Sequence, residues 1–343
     1  MKKGKRMLGA YVRALGEKMY REGRYATARH YEQAAARLLA YLGAQDVPMH
    51  KISTSIVEGF NAHLRAGGLK PNTLSFYNRN LRVLFNRATP GWGTVLFKCV
   101  FTGNDTTPKR AVSVEKVRSL REKTSLNCGE QMARELFLFS LYACGLSFVD
   151  LVYLRRENLR DGYLVYTRRK TGRQVMVKLT TPMRRILDRY APESKGYLFP
   201  FLDDTLTPLQ NYGRYCSALT LYNRHLKGLD LSLTSYVARH TWASVAYRDA
   251  GSPVPVISTA LGHSSERTTR IYLAGLDHRK VDTLQEDVQK ILGEEPEKQK
   301  SLSLGKRQTL SNKSSNILRK PKKMRTFGVS YYPPPNEKIF ARL

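Results

Sequence analysis

The chain has 343 residues, with 58 Lys or Arg against 28 Asp or Glu and a net charge of +30. At 41% hydrophobic residues it can bury more than one core, which excludes wholesale disorder and favours two domains. So large a positive surplus calls for a polyanionic partner, nucleic acid before an acidic membrane surface, because each neutralised phosphate releases a counterion.

The four cysteines, Cys99, Cys128, Cys144 and Cys216, are far apart and form no CxxC pair. No zinc site or disulfide framework follows, and a reducing cytoplasm fits. The basic stretch Met1 to Met7 is not followed by an apolar run of signal-peptide type. Leu136 to Leu154 is greasy, with Asp150 as its sole charge. Gly145 and Ser147 interrupt it, so two buried helices joined by a tight turn explain it better than a membrane span.

Residues 8 to 88 read as helical. Tyr31, Ala34, Ala35, Leu38, Leu39 and Leu42 share one face at helical spacing. A further helix starts at Pro71, a residue suited to a first turn, and runs through Leu81, Leu84 and Phe85. These helices carry Arg24, Arg29 and Arg37, then Lys70, Thr73, Tyr77, Arg79, Arg82 and Arg87. Basic residues interleaved with aromatics make Arg24, Arg29, Lys70, Thr73, Tyr77, Arg79, Arg82 and Arg87 the candidate DNA-binding set; a solvated basic face is the plainer reading.

Residues 89 to 108, with Pro90, Gly91, Gly93, Gly103 and Pro108, carry a linker signature. Beyond them one helix runs to Glu122 with Ser113 as N-cap, and another covers Gln131 to Leu141. A hairpin follows: Gly162 to Arg169, a Thr171-Gly172 turn, then Gln174 to Leu179. Helices resume over Pro182 to Tyr190, from Pro208 to Leu226 with Thr207 as cap, and over Arg239 to Ala250. Val281, Leu284, Val288, Ile291 and Leu292 mark one more helical face. From Lys298 to Leu343 there are twelve Lys or Arg and one acid, Glu337, in a stretch without periodic apolar positions, read as a flexible basic tail. The expected domains are therefore 1–105, 106–292 and a tail, 293–343.

Three short pieces stand in order within the second block: Tyr236-Val-Ala-Arg239-His240, then Leu261-Gly262-His263, then Tyr272 nine residues after His263. Upstream lies the hairpin with Arg168 and Lys170. Taken singly each piece has a plain structural reading. Leu-Gly-His can be a helix end with Gly262 as left-handed cap, and a lone Tyr is usually packing. Together they resemble the tyrosine recombinases, the phage integrase family, over about residues 1 to 292.

That resemblance implies an all-α, SAM-like core-binding domain followed by a mixed α+β, mainly helical catalytic domain. It implies a DNA strand-exchange enzyme acting on duplex DNA, with four copies on two sites, no cofactor or metal, and possible accessory DNA-bending proteins. A cytoplasmic, nucleoid-associated place and no membrane partner follow from it. Tyr272 would be the nucleophile, Arg239 and His263 would serve the phosphate, and Lys170 would be the general acid. The helix over Val281 to Leu292 would dock onto a neighbouring copy. Two rival readings are a catalytically inactive DNA-binding relative and a stand-alone nicking-closing enzyme of the type IB topoisomerase kind.

Two positions depart from the family pattern. Ser147, in Gly145-Leu146-Ser147, stands where an arginine is expected, although the carboxylate three residues on is present as Asp150. Alternate side chains of a strand share a face, so Arg168 and Lys170 are expected to point the same way, and Arg168 becomes the candidate replacement, with Arg173 second. Tyr236 stands where the family often has His; a phenol is a poor base at neutral pH but can hydrogen-bond a phosphate. His240 is expected to buttress the fold and Trp242 to be core. Gly-Leu-Ser-Phe-Val-Asp and Tyr-Thr-Arg-Arg-Lys-Thr-Gly look like the branch found on conjugative and mobilizable transposons.

Overall fold

A computed structural model describes residues 6–105, 111–191 and 196–273, with single positions at 288 and 291. The expected helix over Val281 to Leu292 and the basic tail therefore fall almost wholly outside the described residues. The chain divides into two compact units, one of residues 1–110 with 191–218 and the other of 111–190 with 219–343. The segment 191–218, which the sequence places in the second domain, is grouped with the first unit. Among the described residues no helix is long and apolar enough to cross a membrane.

In the first unit, α1 (Leu8–Arg21), α2 (Tyr25–Tyr41), α3 (Thr54–Ala66), α4 (Pro71–Ala88) and α5 (Trp92–Leu96) surround one apolar core. The periodic positions of α2 do face inward: Tyr31, Ala34, Ala35 and Leu38 are buried. Pro71 occupies the first turn of α4 as expected, where its missing N–H costs no helical bond. Ser53 caps α3, accepting from the Ile56 N–H at 3.3 Å.

The linker expected over residues 89 to 108 is corrected. Gly91 takes a left-handed φ of 79° and starts α5, and Leu96 and Phe97 are buried in the core. Gly93 is required there, because a Cβ would stand 2.1 Å from the Arg82 carbonyl oxygen. The chain then runs back along α4, held turn by turn. Asn78 donates to the Phe101 carbonyl at 2.9 Å, Ser75 to that of Gly103 at 2.5 Å, and Asn72 to that of Asp105 at 2.9 Å. Pro90, Gly91 and Gly103 stand at bends, but the polar stripe of α4 converts residues 101–105 into an ordered strap.

The second unit is helical around one small sheet. Its helices are α6 (Val114–Glu122), α7 (Cys128–Tyr142), α8 (Phe148–Val152), α9 (Thr181–Tyr190), α11 (Val237–Arg248), α12 (Val254–Ala260) and α13 (Glu266–Leu273); α10 (Pro208–Leu229) belongs partly to each unit. Ser113 caps α6 as expected, and Asn127 with Glu130 forms a capping box on α7. Thr207 caps α10, its hydroxyl accepting from the Gln210 N–H at 3.3 Å.

The greasy segment resolves into α7 and α8, joined by a turn in which Cys144 and Gly145 both have positive φ. The sheet has three antiparallel strands, β1 (Leu159–Arg160), β2 (Tyr163–Thr167) and β3 (Gln174–Lys178), in that order. The two-residue β1 was not expected. Leu164 pairs with Val177 and Tyr166 with Val175, and all four are buried, so the inward face alternates as a half-buried hairpin should.

Candidate active site

Arg239 sits in the first turn of α11 and is 1% exposed, the largest fully buried side chain of the protein's described residues. Its Nη1 donates to the Gly145 carbonyl at 2.8 Å and its Nη2 to the Leu261 carbonyl. Both acceptors lie just past helix ends, Gly145 after α7 and Leu261 after α12, where carbonyls lack intrahelical partners and the helix dipole is negative. Partial charges thereby supply the direct contacts of the cation. Among the described residues Arg239 forms no ion pair, and its Nε has no hydrogen-bond partner. Burial first, and then the neighbouring Arg168, lower its pKa to about 10, which leaves it charged at neutral pH.

The Leu261-Gly262-His263 piece is both a helix cap and part of the site. Gly262 has φ of 60°, its N–H donates to the Thr259 carbonyl at 2.9 Å, and the His263 N–H donates to that of Ser258 at 3.0 Å. This is a Schellman termination of α12. It engages the carbonyls of Ser258 and Thr259 and leaves those of Leu261 and Gly262 to side chains. Arg168 Nη1 donates to the Gly262 carbonyl at 3.2 Å, and the Thr171 hydroxyl donates to the same oxygen at 3.1 Å. The exposed Arg173 reaches the Ser264 carbonyl at 3.4 Å.

The strand argument for Arg168 and Lys170 is corrected. β2 ends at Thr167, and the Arg168 N–H donates to the Arg173 carbonyl at 2.8 Å to close the turn. Arg168 turns inward and is 5% exposed, whereas Lys170 lies exposed in the turn. The two are nonetheless gathered around His263: burial, then Arg239, Arg168 and Lys170, lower its pKa to about 4. His263 itself is 4% exposed, with Nδ1 2.8 Å from the Thr269 Oγ1 on α13.

Asp150, buried in α8, balances part of this charge. Its Oδ2 lies 3.7 Å from Arg168 Nε and accepts from the Ser147 hydroxyl at 2.6 Å, while Oδ1 accepts from the Arg169 N–H at 2.9 Å. Ser147 therefore does not face the site as a missing arginine would; it braces the carboxylate that pairs with Arg168. Tyr166, buried beside them, has its phenol pushed up by burial and by Asp150, against Arg239 and Arg168. Sequence reasoning missed Tyr166, Thr171 and Thr269. Tyr166 could have been found from hairpin alternation, the two threonines not.

Tyr236 stands at the start of α11, partly exposed, with its ring edge-on to His240 at 4.8 Å between centroids. Trp242 is half-buried against the small core that α11 shares with α12 and α13. Tyr272 lies in the last turn of α13, and for it the backbone alone is described.

The candidate DNA-binding residues fall in the first unit. Arg24, Arg29, Lys70, Thr73 and Arg87 are exposed. Arg79 and Arg82 are partly engaged in the strap, donating to Asn104 Oδ1 at 3.0 Å and Thr102 Oγ1 at 3.2 Å. Tyr77 is half-buried against the core, which leaves part of its ring accessible.

Residues 7–90 match the Phage integrase SAM-like domain, and residues 113–279 match the Phage integrase family. Among curated proteins, the tyrosine recombinase XerD of Bradyrhizobium diazoefficiens is 28% identical over 204 residues, 50% of this chain and 63% of that protein. A tyrosine recombinase of Pseudothermotoga lettingae is 26% identical over 155 residues, 43% of this chain and 52% of that protein. The chain thus spans less than two thirds of the length of these relatives. Among solved structures, a lambda integrase tetramer bound to a Holliday junction superposes with a TM-score of 0.56 at 16% identity, covering 79% of this chain and 78% of that one.

Proposed function

The chain belongs to the phage integrase family, and on that premise we propose that it is a site-specific DNA recombinase cutting and rejoining strands through a phosphotyrosyl link at Tyr272. The observation that carries this reading is the pair of buried guanidinium groups, Arg168 and Arg239, of which Arg168 alone contacts a carboxylate, Asp150, among the described residues. Buried cations in excess of their counter-ions are costly unless a ligand supplies the anion. A phosphodiester supplies it, and its charge grows as the phosphorus is attacked.

In the proposed step the Tyr272 phenol gives up its proton to solvent as its oxygen bonds to phosphorus, the bond to the 5′ oxygen breaks, and Lys170 delivers a proton to the departing oxygen. Arg239 and Arg168 present planar forks of donors to the nonbridging oxygens, already fixed before the reaction by the carbonyls of Gly145, Leu261 and Gly262. His263, kept neutral by its surroundings, adds a further donor. Tyr236 contributes a hydrogen bond at the rim. Because the phosphotyrosyl bond keeps the energy of the one broken, rejoining needs neither ATP nor a metal.

The first unit, with Arg24, Arg29, Lys70, Thr73 and Arg87 exposed, would grip duplex DNA, and residues 106–292 would act as the catalytic domain. The lambda integrase tetramer supports four copies acting on two sites. Integration, excision or inversion of a segment of nucleoid DNA is the task such an enzyme performs. Ser147 gives no support to an inactive relative, since its hydroxyl serves Asp150 and Arg168 occupies the site.

The test is a nicked suicide substrate resolved on a denaturing gel. Wild-type protein forms a covalent protein–DNA band, and Tyr272→Phe binds the same DNA without forming it. A band that survives in Tyr272→Phe, or no band from wild-type protein on its own sites, refutes the reading.

A further inference from the structure

We infer that Thr269 is a positioning residue that holds His263 in the tautomer with its proton on Nε2, so that the imidazole meets a phosphate as a donor. The inference rests on the reading of the site as one for a phosphodiester. Thr269 is completely buried, and its Oγ1 lies 2.8 Å from His263 Nδ1. Among the described residues that nitrogen is the one hydrogen-bond partner of the hydroxyl. A hydroxyl carries one hydrogen and two lone pairs, and a buried hydrogen left without an acceptor is unfavourable.

Two arrangements are possible across the 2.8 Å contact. If Nδ1 carried the proton, it would donate, and the Thr269 hydrogen would have no acceptor. If the hydroxyl donates, Nδ1 accepts with its lone pair, every polar atom of the contact is satisfied, and the ring proton is on Nε2. The doubly protonated ring would likewise donate from Nδ1 and leave the Thr269 hydrogen without an acceptor, and burial with Arg239, Arg168 and Lys170 lowers His263 to about 4, which disfavours that state.

The choice of tautomer matters for the phosphate. An Nε2–H ring offers a hydrogen to a nonbridging oxygen. The other tautomer would turn a lone pair toward an anion and repel it. Thr269 thus acts through His263, from the helix that carries Tyr272, and ties the protonation pattern of one to the placement of the other.

Three variants separate this role from a packing role. Thr269→Val keeps the shape without the donor, Thr269→Ser keeps the donor, and Thr269→Ala removes the donor without crowding should the valine protein not fold. Histidines labelled with nitrogen-15 report the tautomer in long-range nitrogen–proton spectra, with His263→Gln assigning the signal. Wild type and Thr269→Ser are expected to show the Nε2–H pattern, and Thr269→Val or Thr269→Ala a shift toward Nδ1–H. Cleavage of the suicide substrate should fall roughly 10- to 100-fold in the variants without the donor, up to the loss of one oxyanion donor, at unchanged DNA affinity. Thr269→Ser should restore it.

An Nδ1–H pattern in wild type, or slow cleavage in Thr269→Val without a change of tautomer, would overturn the inference. The spectra need no DNA cleavage, so they decide the tautomer even if wild-type protein gives no covalent band and the phosphodiester reading itself fails.

Discussion

Arg168 and Arg239, from a hairpin turn and a helix and 71 residues apart in sequence, hold consecutive carbonyls: Nη1 of Arg168 donates to Gly262 at 3.2 Å and Nη2 of Arg239 donates to Leu261. Two like charges are brought together by the backbone of one helix cap, and the effect is felt, since Arg168 is the largest charged contributor to the lowered pKa of Arg239. Such an arrangement costs stability in the free protein, a cost that the anion of the proposed substrate would offset.

The first prediction follows from that pairing. Arg168→Ala is expected to lower cleavage by at least about 10²-fold, the loss typical of one oxyanion donor, with DNA binding nearly intact. Ser147→Ala removes a donor from Asp150 and is expected to cost about 1 kcal/mol of stability with little change in cleavage. Single-turnover cleavage and urea unfolding measure both. An inactive Ser147→Ala beside an active Arg168→Ala would reverse the assignment.

Gly262 has no room for a side chain. A Cβ would stand 2.7 Å from Val175 Cγ2 and 3.2 Å from Arg168 Cδ, at a φ of +60°. Gly262→Ala is expected to lose about 1–3 kcal/mol from backbone strain alone and to slow cleavage by displacing Arg168. Denaturant unfolding and the suicide substrate test this; wild-type stability would show that the cap relaxes freely.

The pH response of folding has a definite sign. His263 titrates at about 4 in the fold and near ~6.5 when unfolded. Between these values the unfolded chain binds a proton that the folded chain does not, so the contribution of His263 is fully present above about 6.5 and is lost as pH falls toward about 4. The melting temperature of wild-type protein should therefore fall more between pH 7 and pH 5 than that of His263→Gln. His30, also lowered by burial and then Arg29, contributes equally to both proteins. Equal falls would refute the assignment.

In the first unit, Asn78 is fully buried and its amide holds the Phe101 carbonyl. Asn78→Ala is expected to cost about 0.5–1.5 kcal/mol, as the part-buried Phe101 carbonyl loses its donor. It should also open residues 101–105 to protease before the helices melt. Unchanged resistance in limited proteolysis would show that Ser75 and Asn72 suffice.

What was legible in the sequence were the features with a periodic or terminal signature. The inward face of α2, Pro71 in α4, the caps Ser113 and Thr207, the tight turn at Gly145 and the hairpin all lie where pattern placed them. Arg239 and His263 were legible from the order of three short motifs, and the structure brings them together with Arg168 around one helix cap. The acceptors that hold the arginines were not legible, because backbone carbonyls carry no side-chain identity. Nor was the strap along α4: Asn72, Ser75, Asn78, Arg79 and Arg82 recur at helical spacing, but a polar stripe usually means solvent. Strand alternation failed at Lys170 because the turn began one residue after Thr167.

The bracing of Asp150 by Ser147, with Arg168 supplied from the hairpin, bears on how activity is inferred from sequence. A search that demands a guanidinium immediately after Gly145-Leu146 would file this chain among defunct copies. The requirement that the chemistry imposes is a positive fork at a point in space, and a point in space can be reached from more than one place on the chain. Should Arg168→Ala lose cleavage as predicted, surveys of mobile DNA would need to score the hairpin as well as that one column.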